Sequence, residues 1–260
     1  HPELLDQLAL DFVDSGWDVK AMQKKIVMSA TYRQSSVLTD DHRLKDPENI
    51  LLGRAPRFRL TAEMIRDQAL AVSGLLNPEI GGPSVFPYQP EGMWSSLSFQ
   101  NMDEFDTNFY RQDTGDKLYR RGLYTYWKRT ISPPGMQIFD AADRERCSLR
   151  EDITNTPVQA MALLNDPTFV EAARKLAERM LREGGESEAD RTQYGYRLAL
   201  AHNPDAERQV ILLDGLQAYR QHFVDRAEDA ALLLTVGDST YDETLDESEL
   251  AAYTMLASVI

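Results

Sequence analysis

The stretch DRERCSLREDITNTPVQAMALLNDPTF, residues 143–169, decides the fold. Its second half contains two helix starts in succession. Thr156-Pro157-Val158-Gln159 has the form of a capping box, with a Thr N-cap, proline at the first helical position and Gln three residues after the cap. Asp166-Pro167 repeats the device, and Pro167 also discourages the first helix from continuing. The reading is a short helix over 157–164 that turns sharply into a second over 167–183. Phe169, Ala172, Ala173, Leu176 and Met180 form the buried face of that second helix. The first half, DRERCSLRED, is a run of offsetting charges around the only cysteine of the chain. We expect it to form a polar wall, with Arg144 or Arg150 bonding carboxylates or backbone and Cys147 buried as a small hydrophobe.

Working outward, helical periodicity continues downstream over 188–201, 204–224, 226–235 and 247–260. Upstream, HPELLDQLALDFVDSG is amphipathic, with Leu4, Leu5, Leu8, Phe12 and Val13 at helical spacing and Gly16 as a stop. WDVKAMQKKIVMSATYRQ is a second helix. A polar connector follows, and a third helix runs over about 60–76 with Ala62, Ile65, Ala69, Leu70 and Val72 as its stripe. Residues 78–117 hold Gly, Pro and aromatics (GGPSVFPYQPEGMW) and read as a long ordered loop. KLYRRGLYTYWKRT, 117–130, is the one strand candidate. Alternation would put Leu123, Thr125 and Trp127 on one face, and Tyr124, Tyr126 and Lys128 on the other. The fold class is mainly α, with a small β element and a long aromatic loop. We expect a single domain over 1–260, comprising N-terminal helices (1–77), a loop and strand region (78–155) and C-terminal helices (156–260). His1 and Ile260 both fall inside helical patterns, so the expectation is a segment of a longer protein.

The 260 residues carry 42 acidic and 28 basic side chains, net −14, with a mean hydropathy of −0.45. This balance argues against nucleic acid and anionic membrane as partners, because phosphate binding needs clustered Lys and Arg. No apolar run approaches the roughly 20 residues of a membrane span. Most of the excess acid lies after residue 184, so an anionic or sugar-acid ligand would bind in the first two-thirds. A single cysteine allows neither an internal disulfide nor a CxxCH haem attachment. His1, His42, His202 and His222 form no HxxxH or HExxH pair, and no GxSxG, Walker or GxGxxG motif is present.

The candidate binding residues cluster on and beside the strand candidate. They are Arg120, Arg121, Tyr124, Tyr126, Trp127 and Arg129, joined by Asp140, Arg144 and Arg150. Aromatics beside arginine can stack on sugars or hold carboxylates in a fork; an ordinary wet sheet face would look the same. In DSTYDETLDESE, Asp238, Thr240, Asp242, Asp246 and Glu249 fall on calcium-loop positions, but Glu243 stands where the turn needs glycine. Asp246 with Glu249 also reads as the cap of the last helix.

Five blocks in order carry a family resemblance. They are HPELLDQLALDFVDSGWDVKAMQKKIVMSATYRQSS, DPENILLGRAPRFRLTAEMIRDQALAVSGLL, GGPSVFPYQPEGMW, LYRRGLYTYWKRT and FDAADRERCSLREDITNTPVQAMALLNDPTFVEAA. Together they resemble the planctomycete-specific domain of unknown function, the fifteen-fifty-three family. The resemblance implies a secreted, periplasmic or cell-envelope multidomain protein in which this domain lies C-terminal to a c-type cytochrome-like module and a companion domain. It supplies no catalytic residues. Any haem c would be carried upstream, with no cofactor in this chain, and the partners would be companion domains of the same polypeptide. Two expectations follow. The first is a non-catalytic scaffold or ligand-binding module. The second is the substrate-binding part of a haem-linked oxidoreductase acting on carbohydrate, with polysaccharide over the aromatic and arginine residues.

Overall fold

The structure is a computed structural model that describes residues 1–96, 110–128, 130–142, 144, 147 and 153–260. It is mainly helical, as the periodicity indicates. The chain divides into two compact units, His1–Arg59 and Leu60–Ile260.

The first unit contains α1 (Pro2–Asp14), α2 (Val19–Val27) and the short α3 (Asp40–Lys45). Asp18 caps α2 by accepting from the Ala21 amide at 2.9 Å, and Thr39 caps α3. Phe12 meets Trp17 edge-on at 5.2 Å across the α1–α2 turn. The helix expected to run on towards Gln34 stops at Val27 and gives way to turns, and α3 replaces part of the expected connector.

The second unit is built around α8 (Pro167–Glu183) and α12 (Glu247–Val259), which pack along each other. Before them come α4 (Ala62–Ser73), the single turns α5 (Met93–Ser96) and α6 (Pro134–Gln137), and α7 (Pro157–Asn165). Between α8 and α12 lie α9 (Glu188–Leu200), α10 (Ala206–Val224) and α11 (Ala227–Leu234). The capping box at Thr156 and Gln159 is present, and the Asp166 side chain accepts from the Thr168 amide at 2.8 Å. α7 therefore ends where α8 begins, with Asp166 serving as the C-cap of one and the N-cap of the other.

The core is the seam between α8, α10, α11 and α12. Leu250, Ala251, Ala252, Tyr253 and Leu256 of α12 are completely buried against Leu176, Ala177, Met180, Leu216 and Leu234. Two consecutive alanines let the helices approach closely. Truncating a leucine at this seam would cost about 2–5 kcal/mol through lost burial and the cavity left behind.

The segment 117–130 is not the continuous strand its alternation suggests. It forms two 3-10 turns, Gly115–Tyr119 and Gly122–Tyr124, with isolated bridges at Asn77–Arg120, Val85–Thr125 and Lys128–Ile131. The cause lies on α4. The Asp67 carboxylate accepts from the Gly122 amide at 2.6 Å and from Arg121 Nε at 3.0 Å, which pulls the chain into a turn. Gly122 then lies so close to α4 that a Cβ there would sit 3.0 Å from Glu63 Cα. The expected faces separate accordingly: Thr125 is buried, while Leu123, assigned to the same face, is exposed.

Candidate functional site

Five separate segments meet at one cavity. α4 contributes Ala62 and Arg66, one turn apart on the same face. The start of α8 contributes Asp166, Thr168 and Phe169; the proline-stiffened turn contributes Pro133, Pro134, Gly135 and Met136. Thr125 and the run Pro87–Tyr88–Gln89 close it. The cavity offers about 40 Å³ to the centres of water-sized molecules.

Arg66 dominates this site and is only 7% exposed. Its Nη1 donates to Thr168 Oγ1 at 3.2 Å and its Nη2 to the Leu118 carbonyl at 2.5 Å. Its Nε finds no partner among the described residues. Thr125 is 5% exposed, and among the described residues its hydroxyl is likewise unpartnered, as is Gln89 Oε1. Burial pulls the guanidinium below the usual arginine range, and the nearby carboxylates of Asp166 and Asp67 pull it back up. An arginine stays protonated under such opposing influences. The site is therefore a permanent buried cation with spare hydrogen-bonding capacity. Buried polar groups are ordinarily satisfied, and leaving one bare costs about 1–3 kcal/mol.

A buried network secures one wall. Glu171 and Arg174 of α8 are both 1% exposed and lie 3.6 Å apart. The Glu171 carboxylate accepts from Tyr88 Oη at 3.0 Å, Tyr119 Oη at 2.8 Å and the Ser239 amide at 2.7 Å. Tyr88 Oη in turn accepts from the Asp238 amide at 2.7 Å. Arg174 donates to the carbonyls of Leu234 at 2.7 Å and Ser239 at 2.6 Å. Burial and the negative carboxylate push both phenols up, Tyr119 to about 12. Tyr88, which lines the cavity, is thereby tied to α8 and to the 237–239 turn.

The residues singled out from sequence distribute differently. Arg120 is buried and donates to the carbonyls of Glu79 at 2.9 Å and Gly81 at 2.5 Å, with its guanidinium 4.0 Å from the Tyr124 ring centre. Tyr124 Oη accepts from the Gly81 amide at 2.8 Å. Arg121 pairs with Asp67, and Tyr126 stacks on Phe86 at 4.7 Å. Trp127 and Arg144 do come together, with the guanidinium 4.3 Å from the ring centre and Arg144 Nη2 3.9 Å from Glu63. Asp140 accepts from the Thr154 amide at 2.8 Å. Arg129 and Arg150 lie outside the described residues. Cys147 is exposed rather than buried, and the Trp127 ring is covered by Arg144.

The calcium-loop carboxylates are each committed to a separate donor. Asp238 accepts from the Gly115 amide, Asp242 pairs with Arg182, Asp246 caps α12 at the Glu249 amide, and Glu249 pairs with Arg220. Among the described residues, no group of His, Cys, Asp or Glu is arranged to hold a metal ion. Among them, too, no helix is long and apolar enough to cross a membrane.

Arg66, Glu171 and Arg174 escaped the sequence reading. Arg66 could have been found: it lies four residues from both Ala62 and Leu70, inside the buried stripe of α4, where a charge is out of place.

Fold and cavity together define a mainly helical module whose second unit holds a small, largely apolar pocket with a buried arginine in its wall. The chain belongs to the PSD1 family, described as a protein of unknown function (DUF1553), whose model matches residues 1–216. No curated protein and no solved structure matches it.

Proposed function

We propose that this chain is a non-catalytic ligand-binding module of a larger protein and that the Arg66 cavity is its binding site. One observation carries this reading: a guanidinium more than nine-tenths buried and the Thr125 hydroxyl in the same cavity lining each keep a polar atom with no partner among the described residues. A ligand that completes these bonds recovers the desolvation they otherwise cost. The cavity is small, so it grips one end of a ligand. The family resemblance supports an extracellular or envelope setting beside a c-type cytochrome module, with companion domains of the same polypeptide as partners. The test is a fragment titration of the isotope-labelled chain followed by NMR. Saturable shifts at the amides of Thr125, Gln89 and Gly135 are expected; a broad set of small polar fragments that moves none of them refutes the reading.

A second reading, substrate binding for a haem-linked oxidoreductase acting on carbohydrate, is favoured by the partly exposed Arg144–Trp127 pair. It requires that polysaccharide added anaerobically to the full-length protein reduce the haem, and that Trp127→Ala slow the reduction. Unchanged haem spectra with every sugar would sink it.

A further inference from the structure

The leftover polar groups around the cavity also specify the ligand's chemistry. On the donor side are Arg66 Nε and the Thr125 hydroxyl. On the acceptor side is the unpartnered Gln89 Oε1; the Asp166 carboxylate also lines the cavity, with Oδ1 capping α8 and Oδ2 lying 3.6 Å from where a Cβ on Gly135 would be. Either orientation of the Gln89 amide leaves one cationic donor and one anionic acceptor in the lining. The lining charge is therefore already balanced, Arg66 against Asp166. An incoming carboxylate would add a second negative charge beside Asp166, and an ammonium a second positive charge beside Arg66; desolvating either is costly. The group that fits is neutral and carries one acceptor and one donor.

Size narrows it further. The cavity's roughly 40 Å³ compares with about 10–15 Å³ for one water, or about three non-hydrogen atoms. The walls are apolar and flat, with Pro87, Pro133, Pro134 and Phe169 among them. A planar three-atom group with an acceptor at one end and a donor at the other is a primary carboxamide.

We infer that the cavity binds the primary carboxamide of a small molecule, its carbonyl accepting from Arg66 and its N–H donating to Asp166 or Gln89. This rests on the reading of the cavity as a ligand site. The experiment titrates the whole isotope-labelled chain with acetamide, acetate, methylammonium and ethylene glycol in parallel. Acetamide should shift the Thr125, Gln89 and Gly135 amides saturably and bind at least about tenfold more tightly than the other three. Gly135→Ala should abolish that binding. Its Cβ meets Asp166 Oδ2 at an ordinary contact distance on helical backbone, so the fold stands while the methyl takes part of the room. Should that variant unfold, Thr125→Val must weaken acetamide instead. If acetate, methylammonium or glycol binds these residues as tightly as acetamide, the ligand class is wrong and the site stands. If none of the four shifts them, both fail. Unchanged acetamide binding by a folded Gly135→Ala also overturns the proposal.

Discussion

Replacing Gly237 with alanine should be among the most damaging single-methyl additions in this chain. Gly237 has φ +92°, a region where an L-residue is strained by about 1–2 kcal/mol. The added Cβ would also lie within 2.6 and 2.7 Å of the two Glu171 carboxylate oxygens. That carboxylate cannot yield freely, because it is 1% exposed and holds hydrogen bonds from Tyr88, Tyr119 and the Ser239 amide. Each hydrogen bond to a charged group contributes about 1.5–3 kcal/mol, so losing one and adding the backbone strain gives about 2.5–5 kcal/mol. This is a large share of the roughly 5–15 kcal/mol that holds a domain folded. Urea unfolding at neutral pH, followed by far-UV circular dichroism, reads it as a lower midpoint at unchanged slope. Gly74→Ala is the control: its φ is +81°, but its Cβ would meet only Arg179 Cδ, at 3.8 Å, so it should show the strain of about 1–2 kcal/mol alone. If the two variants lose the same stability, the Glu171 carboxylate is not held as the hydrogen bonds imply.

The same network predicts an alkaline limit. Tyr119 ionises near pH 10 when unfolded but is pushed up to about 12 when folded, by burial and by donation to Glu171. With the folded value raised, its contribution is intact below about pH 10 and is lost as pH rises through about 12. The urea midpoint should therefore fall across that window, and Tyr119→Phe should reduce the fall; a flat profile in the wild-type protein would refute the assignment. Arg174→Met strands the buried Glu171 charge and should cost about 3–5 kcal/mol, while adding Glu171→Gln should restore part of it. A double variant no more stable than the single one would show that the stranded charge is not the cause.

The helices were legible to within a residue or two wherever a cap and a proline coincide. Thr156-Pro157 and Asp166-Pro167 mark their helix starts with local chemistry alone, and so does Asp246 before α12. The 117–130 segment misled because its alternation is real but its conformation is set from outside, by Asp67 and Glu63 on α4. Its arginines drew attention as ligand groups, yet Arg120 is buried and turns its Nη2 to the carbonyls of Glu79 and Gly81. The cavity was illegible for a different reason. Thr125, Gln89, Gly135 and Asp166 come from separate segments, and no spacing rule joins them to Arg66. Only the charge inside an otherwise buried helical stripe was visible in advance.

The docking of α12 onto α8 has a consequence for how the chain acquires its structure. The two helices are separated in sequence by all of α9, α10 and α11, yet each supplies what the other buries. During synthesis at about 5–20 residues per second, the apolar face of α8 waits on the order of several seconds before α12 exists to cover it. The family match ends at residue 216, within α10, so a fragment cut there would hold that exposed face permanently. Such a piece would be captured by chaperones or by its own copies, and a soluble preparation needs the chain through α12.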